Sequence, residues 1–179
     1  MIYYILPAYN EDLNILNLLN NFNNFFLREG KDYKSKVVII DDGSRDNTKS
    51  ILENLKKNNK IFDKEINFEL INIFHEKNRG LGEALKSGMT YCLKDGNPED
   101  VIVTMDCDNS HSIELSKIMI DKIRQGNDVI IASRYKRGAN TKGLSVYRKL
   151  LSYVGCMIFK ITFPIKNIED YTCGYRAFN

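Results

Sequence analysis

The 179-residue chain has no tryptophan, three prolines, two histidines and four cysteines, and each scarcity closes off a kind of chemistry. His75 and His111 lie far apart in sequence, and no Ser-His-Asp or Cys-His arrangement of a nucleophilic enzyme stands out around either. Cysteines 92, 107, 156 and 173 never fall in C-x-x-C spacing, which excludes a zinc ribbon and a dithiol redox pair. Free thiols without a pattern fit a reduced, cytoplasmic protein. No apolar run reaches the roughly eighteen residues of a membrane span. The nearest, Tyr153 to Ile165, is broken by Lys160 and Pro164, and nothing after Met1 reads as a signal peptide. A net charge of +3 is too small to point to nucleic acid. There is no G-x-G-x-x-G after the first apolar run and no G-x-x-x-x-G-K-[ST] anywhere, so dinucleotide and P-loop binding are disfavoured.

What is present is an ordinary globular balance, 43% hydrophobic and 27% charged, in a length suited to one domain. Short apolar runs predict strands at 2–6, 37–40, 68–74, 101–105 and 128–132. Between them, apolar residues at helical spacing predict helices: Leu13, Leu16, Leu19 and Phe22 or Phe26 on one face, with Asn10 as N-cap, then Ile51 to Leu55, Ala84 to Cys92, Leu115 to Ile123 and Leu144 to Phe163. Strands alternating with helices imply βαβ units, an α/β fold and a mostly parallel sheet.

Ligands of such sheets bind beyond the carboxyl ends of the strands. Polar clusters fall there five times: Pro7 to Glu11, Asp41 to Ser44, Asn78 to Gly82, Asp106 to His111 and Ser133 to Arg137. In Asp106-Cys107-Asp108 a period of two turns both carboxylates one way, which suits Mg2+ or Mn2+ on a diphosphate, or else the turn only caps the next helix. One of Asp41 and Asp42 must face the cleft, there to accept from a base or ribose, unless both serve an Asx turn. Tyr9 either stacks on a base or covers the strand edge. The glycines of Gly80-Leu-Gly82 serve either phosphate or close packing. The fork of Arg134, beside Lys136 and Arg137, suits a phosphate. Arg148 heads an apolar helix that either meets anionic lipid or packs on the core. His111 is read chiefly as a helix cap, with a place beside the metal as the other option.

Six stretches carry a resemblance: Pro-Ala-Tyr-Asn-Glu (7–11), Asp-Asp-Gly-Ser-Arg-Asp-Asn-Thr (41–48), Asn-Arg-Gly-Leu-Gly-Glu-Ala-Leu (78–85), Met-Asp-Cys-Asp-Asn-Ser-His (105–111), Ala-Ser-Arg-Tyr (132–135) and Asp-Tyr-Thr-Cys-Gly-Tyr-Arg-Ala-Phe (170–178). In this order they resemble the family 2 glycosyltransferases of GT-A fold, within them the dolichyl- or polyprenyl-phosphate mannosyl- and glucosyltransferases. The resemblance implies a Rossmann-like, mostly parallel central sheet flanked by helices. It implies a nucleotide-sugar site of Pro7, Ala8, Tyr9, Glu11, Asp41, Asp42, Asp106, Cys107, Asp108 and Arg134. It further implies Mg2+ or Mn2+ on Asp106, Asp108 and Ser110, and catalytic roles for Asp108, Arg134 and Arg148. Cys107 stands where relatives usually have Ala, and Asn109-Ser110 where Leu-Ser or Leu-Gln is commoner.

The expected reaction is inverting transfer of mannose or glucose, from GDP-mannose or UDP-glucose, to a polyprenyl phosphate at the cytoplasmic membrane face. A hydroxyl acceptor is the alternative. It would need a base, with Glu169 or Asp170 in place for it, and processive relatives of that kind usually add a Gln-x-x-Arg-Trp motif, which a chain without tryptophan lacks. A non-catalytic nucleotide-sugar-binding subunit is the third reading. The match runs to residue 178, where relatives continue, so 1–179 is expected to be a single catalytic domain cut short at its C-terminus.

Overall fold

The computed structural model describes residues 1–29, 34–62, 64–135 and 146–179, with backbone alone for residues 29, 64 and 146–150. Its elements run β1 (Ile2–Ala8), α1 (Ile15–Glu29), β2 (Ser35–Asp41), α2 (Thr48–Asn58), β3 (Lys60–Ile61), β4 (Lys64–Glu65), β5 (Glu69–Phe74), α3 (Leu81–Asp95), β6 (Val101–Thr104), α4 (Glu114–Arg124), β7 (Val129–Ile131), α5 (Val146–Thr162) and β8 (Arg176–Phe178). The five expected strands are all there. The small antiparallel pair β3–β4 and the strand β8 were not foreseen.

The main sheet has the order β5-β2-β1-β6-β8-β7. β5, β2, β1 and β6 are parallel, and β8 lies antiparallel between β6 and β7. β1 is buried on both sides because its alternate residues enter different cores. Tyr3 and Ile5 join Val38, Ile40 and Ala84 under α3. Ile2, Tyr4, Leu6 and Ala8 join the larger core with α1, α2 and α4. There Tyr4 meets Phe22 edge-on at 5.0 Å, and its hydroxyl is satisfied by Ser116 Oγ at 2.9 Å. Leu13, expected on the buried face of α1, is 86% exposed, because the helix begins two residues later and Leu13 sits in the turn before it.

The chain builds β1, β2 and β5 outward in one direction, then α3 carries it back across to β6 on the other side of β1. The order of strands therefore reverses between β1 and β6, and diverging loops open a crevice at their carboxyl ends. Four of the five polar clusters come from the ends of β1, β2, β5 and β6, the strands that frame it.

Candidate active site

Hydrogen bonds between loops set the shape of this crevice. Asn10 holds φ at 58°, its N–H donates to Ser44 Oγ at 2.9 Å, and its Oδ1 accepts from the Arg45 N–H at 2.8 Å. Expected as the cap of α1, Asn10 is instead a clasp between the β1 and β2 loops. The amides of Asn14 and Ile15 find the Glu11 carbonyl in its stead. The Glu11 N–H donates to Thr48 Oγ1 at 2.8 Å, which draws the same two loops together.

Asp41 and Asp42 divide as strand geometry requires. Asp41 turns inward, is 1% exposed, and accepts the Ser44 N–H at 3.0 Å in an Asx turn. It is therefore not part of the cleft, although it was expected in the nucleotide site. Asp42 lines the cleft. Its Oδ1 lies 2.6 Å from His75 Nδ1, and the N–H groups of Arg79 and Gly80 reach the carboxylate at 2.8–3.1 Å. Burial alone would push the Asp42 carboxyl up, but these hydrogen bonds outweigh it and hold it below the usual range.

His75 Nε2 continues the line to Ser87 Oγ at 2.9 Å. The order Asp-His-Ser mimics a hydrolase triad, which sequence spacing did not reveal, yet neither His75 nor Ser87 lines the cleft. It is a brace for the 75–80 loop. Gly43, at φ 70°, lets that loop pass close by: a Cβ there would stand 2.4 Å from the Lys77 carbonyl carbon.

The result is a cleft of about 380 Å3 lined by Pro7, Ala8, Tyr9, Glu11, Asp42, Asn78, Gly80, Leu81, Ala84, Asp106, Cys107 and Asp108. It gathers eight of the residues expected at the nucleotide-sugar. Tyr9 is exposed at its edge. The Cys107 side chain is buried in the main core, and burial pushes its thiol well above the ordinary value, so it stays neutral between the two carboxylates.

Among the described residues no three His, Cys, Asp or Glu side chains converge as a metal cage. Four carboxylates line the cleft, those of Glu11, Asp42, Asp106 and Asp108. Asp42 is taken up by His75, Arg79 and Gly80, while Asp106 and Asp108 offer a pair of hard oxygen donors just beyond β6. That donor set fits Mg2+ or Mn2+, which keep waters and take phosphate oxygens for their other positions. Ser110, expected as a third ligand, lines a neighbouring hollow rather than this cleft, and its N–H donates to Asp108 Oδ1 at 2.9 Å.

That second hollow, about 730 Å3, lies between α4, β7 and residues 167–170, and Arg134 is on its wall. The Arg134 guanidinium is held by Asp170 through Nε at 3.1 Å and Nη2 at 3.3 Å, and by Thr172. Asp170 is fully covered and also accepts from the N–H groups of Arg134, Thr172 and Cys173 and from the Thr172 hydroxyl. With both oxygens so engaged it is a clamp for Arg134 rather than a base, contrary to its expected use with a hydroxyl acceptor. Arg148 belongs to α5, but its side chain, like Lys136 and Arg137 entirely, lies outside the described residues. His111 does not cap α4: its Nε2 lies 3.2 Å from Asp106 Oδ2.

Among solved structures, the glucosyl-3-phosphoglycerate synthase of Mycobacterium tuberculosis, crystallised with Mn2+, UDP and glucosyl-3-phosphoglycerate, matches 100% of this chain and 56% of its own. The TM-score is 0.57 at 18% identity. The fold is that of the GT-A glycosyltransferases. The chain belongs to glycosyl transferase family 2, whose family model matches residues 3–178. Among curated relatives, the UDP-N-acetylglucosamine–dolichyl-phosphate N-acetylglucosaminyltransferase of Methanococcus voltae is 31% identical over 100% of this chain and 69% of its own length. The dolichol-phosphate mannosyltransferase of Pyrococcus furiosus is 31% identical over 97% of this chain, which spans only 44% of that protein.

Proposed function

We propose that residues 1–179 form one catalytic domain, which transfers a hexose, mannose or glucose, from a UDP- or GDP-sugar to a polyprenyl phosphate with inversion at the anomeric carbon. The observation that carries this is the cleft at the β1–β6 switch, where Tyr9, Glu11, Asp42, Asp106 and Asp108 meet. In this reading Pro7 to Glu11 and Asp42 take the nucleoside, and Asp106 and Asp108 hold Mg2+ or Mn2+ at the diphosphate. The cation supplies charge neutralisation for the departing nucleoside diphosphate. Arg134, aligned by Asp170 and Thr172, pairs with the acceptor phosphate and orients it toward the sugar. A phosphate monoester, with a second pKa near about 6, is already anionic at neutral pH, so no protein base is needed. The engaged carboxylate of Asp170 supports that choice over a hydroxyl acceptor, and so do the lipid phosphates in the names of both relatives.

The nucleotide site is tested by thermal shift with UDP, GDP, UDP-glucose and GDP-mannose, each with and without Mn2+. Cognate ligand at 100 times its Kd should stabilise by about 2.7 kcal/mol, raising Tm by roughly 5–10 °C for a domain of this size. That rise should need Mn2+. If none of the four shifts Tm in either condition, the reading fails.

We also propose that α5 rests on a membrane surface. Among the described residues no helix is long and apolar enough to cross a membrane. Yet Tyr153, Val154, Ile158, Phe159 and Ile161 of α5, with Phe163 and Ile165 beyond it, are all exposed, while Cys156 is buried against the body. Such an apolar surface, flanked by Lys160 and Lys166, has the make-up of an interfacial helix, and a lipid-phosphate acceptor would lie at that surface. The double variant Ile158→Glu, Ile161→Glu should co-sediment with anionic phospholipid vesicles at least about tenfold more weakly than the parent. Equal binding of variant and parent refutes the membrane role.

A further inference from the structure

The turn after the two carboxylates holds one oxygen of each. Asp108 Oδ1 accepts the Ser110 N–H at 2.9 Å, and Asp106 Oδ2 lies 3.2 Å from His111 Nε2. Among the described residues no hydrogen bond engages Asp106 Oδ1 or Asp108 Oδ2. Each carboxylate therefore has one oxygen tied down and the other without a hydrogen bond. Ser110 does its part through the backbone N–H, which any residue but proline supplies, whereas the bond to Asp106 depends on the histidine ring.

We propose that His111 is the positioning residue of the cation site: Nε2–H donates to Asp106 Oδ2 and aims Oδ1 at the metal. This inference rests on Asp106 and Asp108 holding a cation. The ring is itself held. It packs on the Tyr175 ring with centroids 4.9 Å apart, and the buried Tyr175 donates its hydroxyl to the Ser112 carbonyl at 2.9 Å, fixing the backbone next to the histidine. His111 is largely covered, with 19% of its side chain exposed against 48% for Asp106, so water competes little for its donor while the carboxylate stays open.

The opposite flank of Asp106 is Gly174. A Cβ there would stand 3.3 Å from Oδ1 and 3.6 Å from Oδ2, so the carboxylate lies against bare backbone. The Gly174 carbonyl takes the Thr104 hydroxyl at 2.8 Å, which anchors that backbone to the end of β6. The segment entering β8 thus supplies both walls of the Asp106 pocket, one directly and one through Tyr175. A carboxylate oriented in advance loses less freedom when it binds a cation, and removing such outer partners typically costs about 10–100-fold in metal affinity.

The test is Mn2+ affinity, read from the loss of the free-ion EPR signal with UDP and, separately, GDP present. His111→Asn, too short to reach Asp106, should bind Mn2+ about 10–100-fold more weakly. His111→Gln, which keeps an N–H donor at that reach, should recover most of the loss. Both variants should keep the parental Tm without metal, and His111→Leu, which removes the donor in a second way, should track His111→Asn. Pulsed EPR of the parent should show no directly bound nitrogen. Unchanged Mn2+ affinity in His111→Asn overturns the proposal, and so does a directly coordinated 14N that His111→Leu abolishes, since that makes the histidine a ligand. If the parent binds no Mn2+ at all, the cation reading itself fails and the positioning role falls with it.

Discussion

Asp108→Asn should lower hexosyl transfer by at least about a thousandfold while leaving the fold intact. Asp108 is exposed at the cleft, so no core is disturbed, and the amide oxygen of Asn can still accept the Ser110 N–H. What disappears is the negative charge that, in the proposed reading, holds the cation. Lewis-acid stabilisation of a departing phosphate oxygen is worth several kcal/mol. With each 1.36 kcal/mol a factor of ten in rate, a loss of about 4 kcal/mol gives that thousandfold. Steady-state transfer from the donor that passes the thermal-shift screen measures it, with unchanged Tm as the control. A variant that keeps the parental rate with EDTA present would rule out metal-assisted transfer.

Asp170→Ala should destabilise the fold strongly. It leaves the Arg134 guanidinium, 27% exposed, without its counter-charge, and strips the N–H groups of Arg134, Thr172 and Cys173 of their acceptor. Removing one partner of a buried pair costs about 3–5 kcal/mol, and the partial exposure of Arg134 places the cost near 3. For a domain of this size that is a fall in Tm of roughly 6–12 °C. A parental Tm in the variant would mean that the clamp contributes nothing.

The pH dependence follows from the same geometry. Burial alone would raise the Asp170 carboxyl, but hydrogen bonds from Arg134 and the neighbouring amides outweigh it and hold it below the usual range. A carboxylate depressed in the folded state stabilises above its unfolded pKa of about 3.9, and the contribution is lost as pH falls through the lower folded value. The isosteric Asp170→Asn variant should therefore lie well below the parent in Tm at pH 6, and the gap should narrow below about pH 4. A gap independent of pH would show that the carboxylate charge is not what stabilises.

Much of the fold was legible because burial on both faces leaves an unbroken apolar run. Ile2 to Leu6 and Val37 to Ile40 read as strands for that reason, and the helices between them followed from apolar spacing. β8 was not legible: three residues, Arg176, Ala177 and Phe178, are too short to show a period. Leu13 was misplaced because spacing alone does not say where a helix starts. Within the site, Asp106 and Asp108 were readable from their separation of two. Which of Asp41 and Asp42 faces the cleft was not, since adjacent residues at a strand end point opposite ways and only the neighbouring strands say which way is out.

By itself the sequence determined the alternation of strands and helices, the placing of polar loops at strand ends, and the pair of acids that a cation site needs. All of these are local properties, set by spacing along the chain. The tertiary structure alone decided that Asn10 clasps a loop instead of capping a helix, that Asp170 clamps Arg134 from 36 residues away, and that His111 turns to Asp106. Those choices depend on which donors and acceptors meet once the chain has packed, and that account is settled only among neighbours brought together by the fold.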